Sequence, residues 1–227
     1  MKTASSTSLL ALALTLLAAP VLEARYLTGS RHVSLGYSTV LVDGITGEDA
    51  NGYSIGYTHP LSDELSVAIG LGKADVDYTA TRVVDGDEGP ELQEVSLSEE
   101  AQGLSVRVIW INTEVKNYRA YSSIGASWTD YELRWDVERD SDDVISVNAE
   151  MGFEVEVCSR ATVTGYLEGY YWTNGLELFG EEGDWEHGLW LGTRVFTSLS
   201  ENLGLIGDVA ISDDGDIGIW IGTAVSF

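Results

Sequence analysis

A single cysteine, Cys158, stands in the 227 residues, so no internal disulfide can form. With no cysteine near the end of the first apolar stretch, a lipoprotein anchor is excluded as well. Prolines number three and histidines three, His32, His59 and His187, which leaves little material for general-base chemistry. Basic residues are scarce: 12 Lys and Arg face 37 Asp and Glu, for a net charge of −25. Such a chain repels nucleic acid and anionic surfaces, so no nucleic-acid partner is expected. Beyond Ala24 no apolar run is long enough for a spanning helix, so any membrane insertion must come from alternation.

The beginning of the chain is different in kind. Lys2 is followed by an apolar stretch from Leu9 to Leu22 and a small residue, Ala24, which reads as a secretory signal peptide over 1–24. Thr15 and Pro20 interrupt that stretch, which is too short for a membrane helix of ~20 residues. Residues 25–227 are then one mature domain. They are rich in glycine and tyrosine, 25 and 11 in the whole chain, and their aromatic and β-branched content favours folding over disorder.

Apolar residues recur at every second position through nearly all of this domain, the period of a β-strand. Val33, Leu35, Tyr37, Thr39 and Leu41 share one face; Ser34, Gly36 and Ser38 share the other. Comparable stretches centre on 53–58, 65–72 and 104–110, then run over 118–128, 144–157, 161–171, 185–197, 203–211 and 217–227. Ten strands are predicted, with eight as the alternative. The non-apolar face is mostly Gly, Ser, Ala and Thr, which suits a narrow lumen better than a solvated surface. Short connections (HPLSDE, NTEVKN, CSR, SLSEN) alternate with long ones, and the fifth long-side connection is a tight turn at Asp213, Asp214 and Gly215. Tyr53, Trp128, Tyr171 and Trp185 fall toward the long-loop end, and Tyr57, Trp110, Tyr118 and Phe227 toward the short-turn end, forming two aromatic girdles. The fold class expected is an all-β, antiparallel up-and-down transmembrane barrel.

The final strand, IGIWIGTAVSF, ends in Phe227 with Val225 two residues before it and Gly222 five before it. In this the chain resembles the small outer-membrane β-barrels of the OmpA/OmpX-like kind, over essentially the whole mature sequence. Trp220 departs from the pattern, where a polar residue is usual. The resemblance implies a Gram-negative outer-membrane location, contact with membrane lipid and lipopolysaccharide, delivery by the barrel-assembly machinery through Gly222, Val225 and Phe227, and a monomer. It implies no particular activity.

Candidate chemistry falls into four groups. Acidic residues crowd the expected outer loops: three over 43–51, seven over 78–102, seven over 130–143, four over 173–184 and three over 213–216. Carboxylates at that density can attract divalent cations, but no segment has the spacing of a dedicated calcium loop, so no metal site and no cofactor are assigned. Gly52–Gly56 spells G-x-S-x-G, yet it lies along an alternating strand with no helix after it, contrary to a nucleophile elbow. His187, beside Asp184 and Glu186, is the one constellation that could make a rim enzyme. Cys158 has no expected activating base.

The fourth group points inward. Arg107, Arg119 and Arg194 are expected to share the lumen with Glu150, Glu154, Glu156, Glu168 and Asp208, beside Tyr121, Tyr166, Trp190, Phe196 and Trp220. This network is expected to be structural; lining a narrow cation-favouring pore is the alternative. The register can be specified. If Val157 pairs with Ala161, both facing lipid, then Met151 meets Leu167 and Glu150 meets Glu168. Two opposed carboxylates need a shared proton or a positive partner, for which Arg107 is the first choice and Arg194 the second. Arg119 is expected to pair with Glu154 or Glu156. A non-enzymatic structural or cell-surface role is the leading expectation.

Overall fold

The computed structural model describes residues 27–28, 30–41, 49–86, 89–115, 117–135, 138–173 and 185–227. Ten strands follow one another: β1 (His32–Leu41), β2 (Asp49–Pro60), β3 (Leu65–Gly86), β4 (Gly89–Val115), β5 (Tyr118–Trp135), β6 (Glu138–Cys158), β7 (Ala161–Thr173), β8 (Trp185–Ser198), β9 (Leu203–Ser212) and β10 (Ile217–Ser226). Each pairs antiparallel with its sequence neighbours, and β1 pairs with β10, so the sheet closes into a barrel without a free edge along its closed part. Closure is in register along the whole of β1, from His32 opposite Ser226 to Leu41 opposite Ile217.

The distribution of side chains is that of a protein turned inside out. Leu35, Leu71, Met151 and Leu191 are each more than half exposed, and Ile55, Leu104, Ile124 and Ile211 stand outward beside them. The largest fully buried side chains are Glu154, Thr162 and Ser66. A soluble sandwich would reverse this, because an apolar belt facing water costs free energy over its whole area, whereas facing lipid it does not. Both girdles expected from the sequence are present on the outer surface: Tyr53, Trp128 and Tyr171 toward the long-loop end, Tyr57, Trp110, Tyr118 and Phe227 toward the other. Tyr57 and Phe227 stack in parallel, and Tyr37 meets Tyr53 edge-on. The side chain of Trp185 lies outside the described residues.

Two short connections repeat one device. At Leu61–Glu64 the Ser62 hydroxyl accepts from the backbone N–H of Leu65, and at Leu199–Asn202 the Ser200 hydroxyl accepts from that of Leu203. On the opposite rim Gly215 takes a positive φ of 99°, the left-handed conformation the Asp-Gly turn requires.

Three expectations need correction. The acidic stretches 78–102 and 130–143 are not loops: β3 and β4 stay paired out to Gly86 and Gly89, and β5 and β6 to Trp135 and Glu138. Of the other acidic stretches, 42–48 and 174–184 lie outside the described residues. Val157 does not pair with Ala161. It is bulged, and Cys158 takes that place as the last residue of β6, leaving a two-residue turn at Ser159 and Arg160. Two residues are the preferred length for a hairpin, and a bulge absorbs the odd residue without slipping the register above it. Val157 still faces outward, but Ala161 is buried, 1% exposed.

Candidate functional site: the charged lumen

Above the bulge the register is as expected: Met151 lies opposite Leu167 and Glu150 opposite Glu168. Arg107 reaches both carboxylates, Nη1 to Glu150 Oε2 at 2.6 Å and Nη2 to Glu168 Oε1 at 2.6 Å. Neighbours donate to each carboxylate as well. The Tyr121 hydroxyl donates to Glu150 Oε1 at 2.5 Å, and Asn148 Nδ2 donates to Glu168 Oε1 at 2.5 Å. One guanidinium on β4 thus ties β6 to β7 across the lumen.

A second cluster sits on β7, β8 and β9. Arg194 Nε donates to Asp208 Oδ2 at 2.7 Å, and the Tyr166 hydroxyl donates to Asp208 Oδ1 at 2.7 Å. The guanidinium also lies over the Tyr166 ring, 5.1 Å from its centroid, adding a cation–π contact. Arg194 therefore serves Asp208 directly and adds its charge to the field at Glu150, while the guanidinium bonded to both opposed glutamates is that of Arg107.

The third arginine faces an expected partner and engages others besides. Arg119 lies directly opposite Glu154 in the ladder and acts on its charge, and it also forms an ion pair with Glu114, at 2.9 Å, and donates to the carbonyl of Thr28. Thr28 completes the link, its N–H and hydroxyl donating to Glu154 Oε1 at 3.1 and 2.8 Å. Glu154 is 1% exposed, while Glu156, two pairs below on β6, sits opposite Thr162. A segment preceding β1 therefore contributes to the lumen. Nothing in the sequence marked Thr28, because it belongs to no strand.

Inward aromatics fill the remaining space by lying against glycines. The Trp220 indole crosses β1 over Gly36 and donates Nε1–H to Ser54 Oγ on β2 at 2.9 Å. A Cβ on Gly36 would stand 2.1 Å from the ring, so only glycine admits this contact. Tyr121 covers Gly152 and Tyr166 covers Gly192 in the same way. Phe196, Ile206 and Ala224 form a small apolar cluster below, against which Leu27 and Trp220 pack.

The alternative sites fare differently. Gly52–Gly56 lies inside β2, where Ser54 accepts a structural hydrogen bond from Trp220. His187 stands on the outward face of β8 with Leu189 and Leu191, turned away from the lumen; Asp184 and the Glu186 side chain, the other members of the constellation, lie outside the described residues. Among the described residues no group of three His, Cys, Asp or Glu side chains could hold a metal ion. What the lumen can do chemically is hold charge in fixed pairs and, between them, leave small cavities of mixed lining.

No protein-family model matches the sequence, and no curated protein matches it. Solved structures do match. An outer membrane channel from Pseudomonas putida F1 is similar at a TM-score of 0.50 and 9% identity, over 92% of this chain and 100% of that one. The translocator domain of the autotransporter NalP from Neisseria meningitidis follows at 0.46 and 12%, over 97% and 94%. Ail, the attachment invasion locus protein of Yersinia pestis, is similar at 0.37 and 13%, over 87% and 97%. With its closed ten-stranded sheet, apolar outer belt and polar interior, the chain is by fold a small outer-membrane β-barrel.

Proposed function

We propose that the protein resides in the bacterial outer membrane, after removal of residues 1–24, and acts there as a non-enzymatic monomer in contact with the cell's surroundings. The observation that carries this reading is the sheet that continues past the barrel. Pairing of β2 with β3 ends at Asn51 and Asp75, but β3 runs on from Val76 to Gly86. Those eleven residues add about 36 Å at ~3.3 Å each, beyond the 9–11 residues that suffice to cross a membrane. Likewise β6 is paired with β7 only from Ser146, so Glu138–Ile145 extends beyond that hairpin.

Strands β3 to β6 thus project together as far as Tyr78, Leu97, Trp135 and Glu138, and beyond them β3 and β4 continue as a two-stranded ribbon; its root is fastened by Lys73 to Glu100 at 2.6 Å and by Gln102 Nε2 to Asp130 at 3.3 Å. Among the described residues, no strand covers its β3 edge. Along that edge the sequence VDYTATRVVDG is β-branched and lightly charged, while ERDSDDVI on β6, the far edge of the four-stranded root, carries five charges in eight residues. Charge discourages strand addition and β-branched sequence favours it, so the β3 edge is the surface suited to an extended partner segment. The surrounding carboxylates favour divalent cations or basic partners. Outer-membrane lipid, lipopolysaccharide and the barrel-assembly machinery, reading Gly222, Val225 and Phe227, are the partners that location implies.

The test is adhesion of cells producing the full chain against cells producing a variant in which Tyr78–Leu97 is replaced by Asn-Gly. The variant should reach the outer membrane as a folded barrel and lose attachment to matrix-coated surfaces. Equal attachment by both would remove the surface role from the projecting sheet.

A further inference from the structure

On the side of the lumen walled by β8, β9, β10 and β1 lies a cavity of about 410 Å³, near the lower end of the roughly 300–1,000 Å³ that hold small molecules. It reaches Val40 and Gly218, which are directly opposed one pair from the outer end of the β1–β10 ladder. Two indoles line it. Trp220 lies over Gly36 and Gly222, where a Cβ would stand 2.1 and 2.2 Å from its ring, and Trp190 lies against Gly218, where a Cβ would stand 3.4 Å away. Each ring is backed by bare wall on one side and turns its other side to the cavity.

Polar groups with spare bonding capacity face the same space. Arg194 commits its Nε to Asp208 and its charge to the Tyr166 ring, but among the described residues neither Nη nitrogen has a hydrogen-bond partner. Its side chain is 26% exposed, so solvent reaches it. The hydroxyls of Ser34 and Ser38 have no partner among the described residues either. These serines stand four residues apart on β1, about 13 Å at ~3.3 Å each. A ligand with one polar end would use one of these groups and leave the others to water, whereas one with hydroxyls spread along an apolar body would use all three. Charge narrows the choice further. Arg194 is paired with Asp208 and lies in the field of Glu150, so an added anion meets two carboxylates and an added cation meets the guanidinium.

We propose that this cavity binds a neutral carbohydrate of about disaccharide length, with pyranose faces against Trp190 and Trp220 and hydroxyls bonded to Ser34, Ser38 and the Nη nitrogens of Arg194. A pyranose carries C–H bonds on its faces and hydroxyls around its rim, each able to donate and accept, which matches indole faces flanked by serine hydroxyls and a guanidinium. The site is separate from the projecting sheet and adds capture of a small solute to contact at the surface.

Calorimetric titration of the purified full barrel, in micelles of a detergent without a sugar headgroup, tests this with maltose, cellobiose and lactose. At least one of the three should bind saturably, and sodium benzoate, with an apolar face and one anionic end, should not. Ser34→Ala with Ser38→Ala should weaken that binding at least about tenfold, the effect of two lost hydrogen bonds. The gel mobility of the unheated double variant should stay that of the wild type, because these hydroxyls hold nothing within the described protein. Trp190→Leu should weaken binding as much, and serves in its place if the double variant does not fold. Arg82→Ala, on the projecting part of β3, should bind as the wild type does. No saturable binding of any of the three sugars, saturation by benzoate in their place, or undiminished binding by the folded serine and Trp190 variants would each overturn the proposal.

Discussion

Replacing Arg107 with Ala removes the one positive group shared by Glu150 and Glu168, which stand directly opposite each other on β6 and β7. Opposed side chains on paired strands lie about 5 Å apart. At that separation two unit charges repel by roughly 3 kcal/mol at an effective dielectric of about 20. Glu150 is almost fully buried and loses its ion pair outright, while Glu168, about one-fifth exposed, recovers part of its loss from water. Tyr121 and Asn148 continue to donate, one to each carboxylate. The sum is about 3–4 kcal/mol, within the range for breaking a buried pair by removing one partner. Urea unfolding in detergent micelles or liposomes, followed by gel mobility of the unheated sample, should show that loss. The triple change Arg107→Met, Glu150→Gln, Glu168→Gln removes every charge and should recover most of it, since apolar or neutral replacement of a whole buried network is often near neutral. An Arg107→Ala barrel as stable as the wild type, or a triple variant no more stable than the single one, would refute this reasoning. Arg82, on the projecting part of β3, supplies the control, and Arg82→Ala should change stability little.

Gly36→Ala should cost about 1–3 kcal/mol by forcing Cβ into the Trp220 indole, and Trp220→Leu in the same chain should relieve part of it; the same unfolding assay reads both. Deleting Phe227 should lower the amount of inserted barrel in cells without changing synthesis, since the terminal strand closes the sheet onto β1 and its end stacks on Tyr57; normal insertion would remove Phe227 from the assembly signal. His187→Ala should leave stability and any hydrolysis of a peptide or lipid A panel unchanged, because the imidazole sits on the outward face of β8; a loss of measurable turnover would restore the rim-enzyme reading.

Strands β5 and β7 to β10 begin where the alternation begins, because each buries one face on a crowded lumen and presents the other to lipid, and both demands are written into every second residue. The outer halves of β3 to β6 were not legible in the same way. Projecting beyond the barrel, they have no lipid to face and no reason to alternate; only the β-branched residues of 79–84 hinted at strand. The register of Glu150 and Glu168 followed from parity, and the choice of Arg107 from its height on β4, so the central ion pairs could be named in advance. The hydroxyls of Tyr121 and Tyr166 could not, since parity places a side chain inward without saying which carboxylate its end will reach. The bulge at Val157 and the entry of Leu27 and Thr28 were equally hidden: one depends on turn length, the other on a segment outside any periodic pattern.

Membrane fractionation of cells producing the chain, combined with trypsin treatment of the intact cells, bears most directly on the whole account. The protein should band with the outer membrane and migrate differently with and without heating. Trypsin should cut at Arg82 or Arg139 in the projecting sheet and spare Arg107 and Arg194 inside the barrel. Recovery as a soluble periplasmic protein, or cleavage at Arg107 and Arg194 as readily as at Arg82, would contradict it.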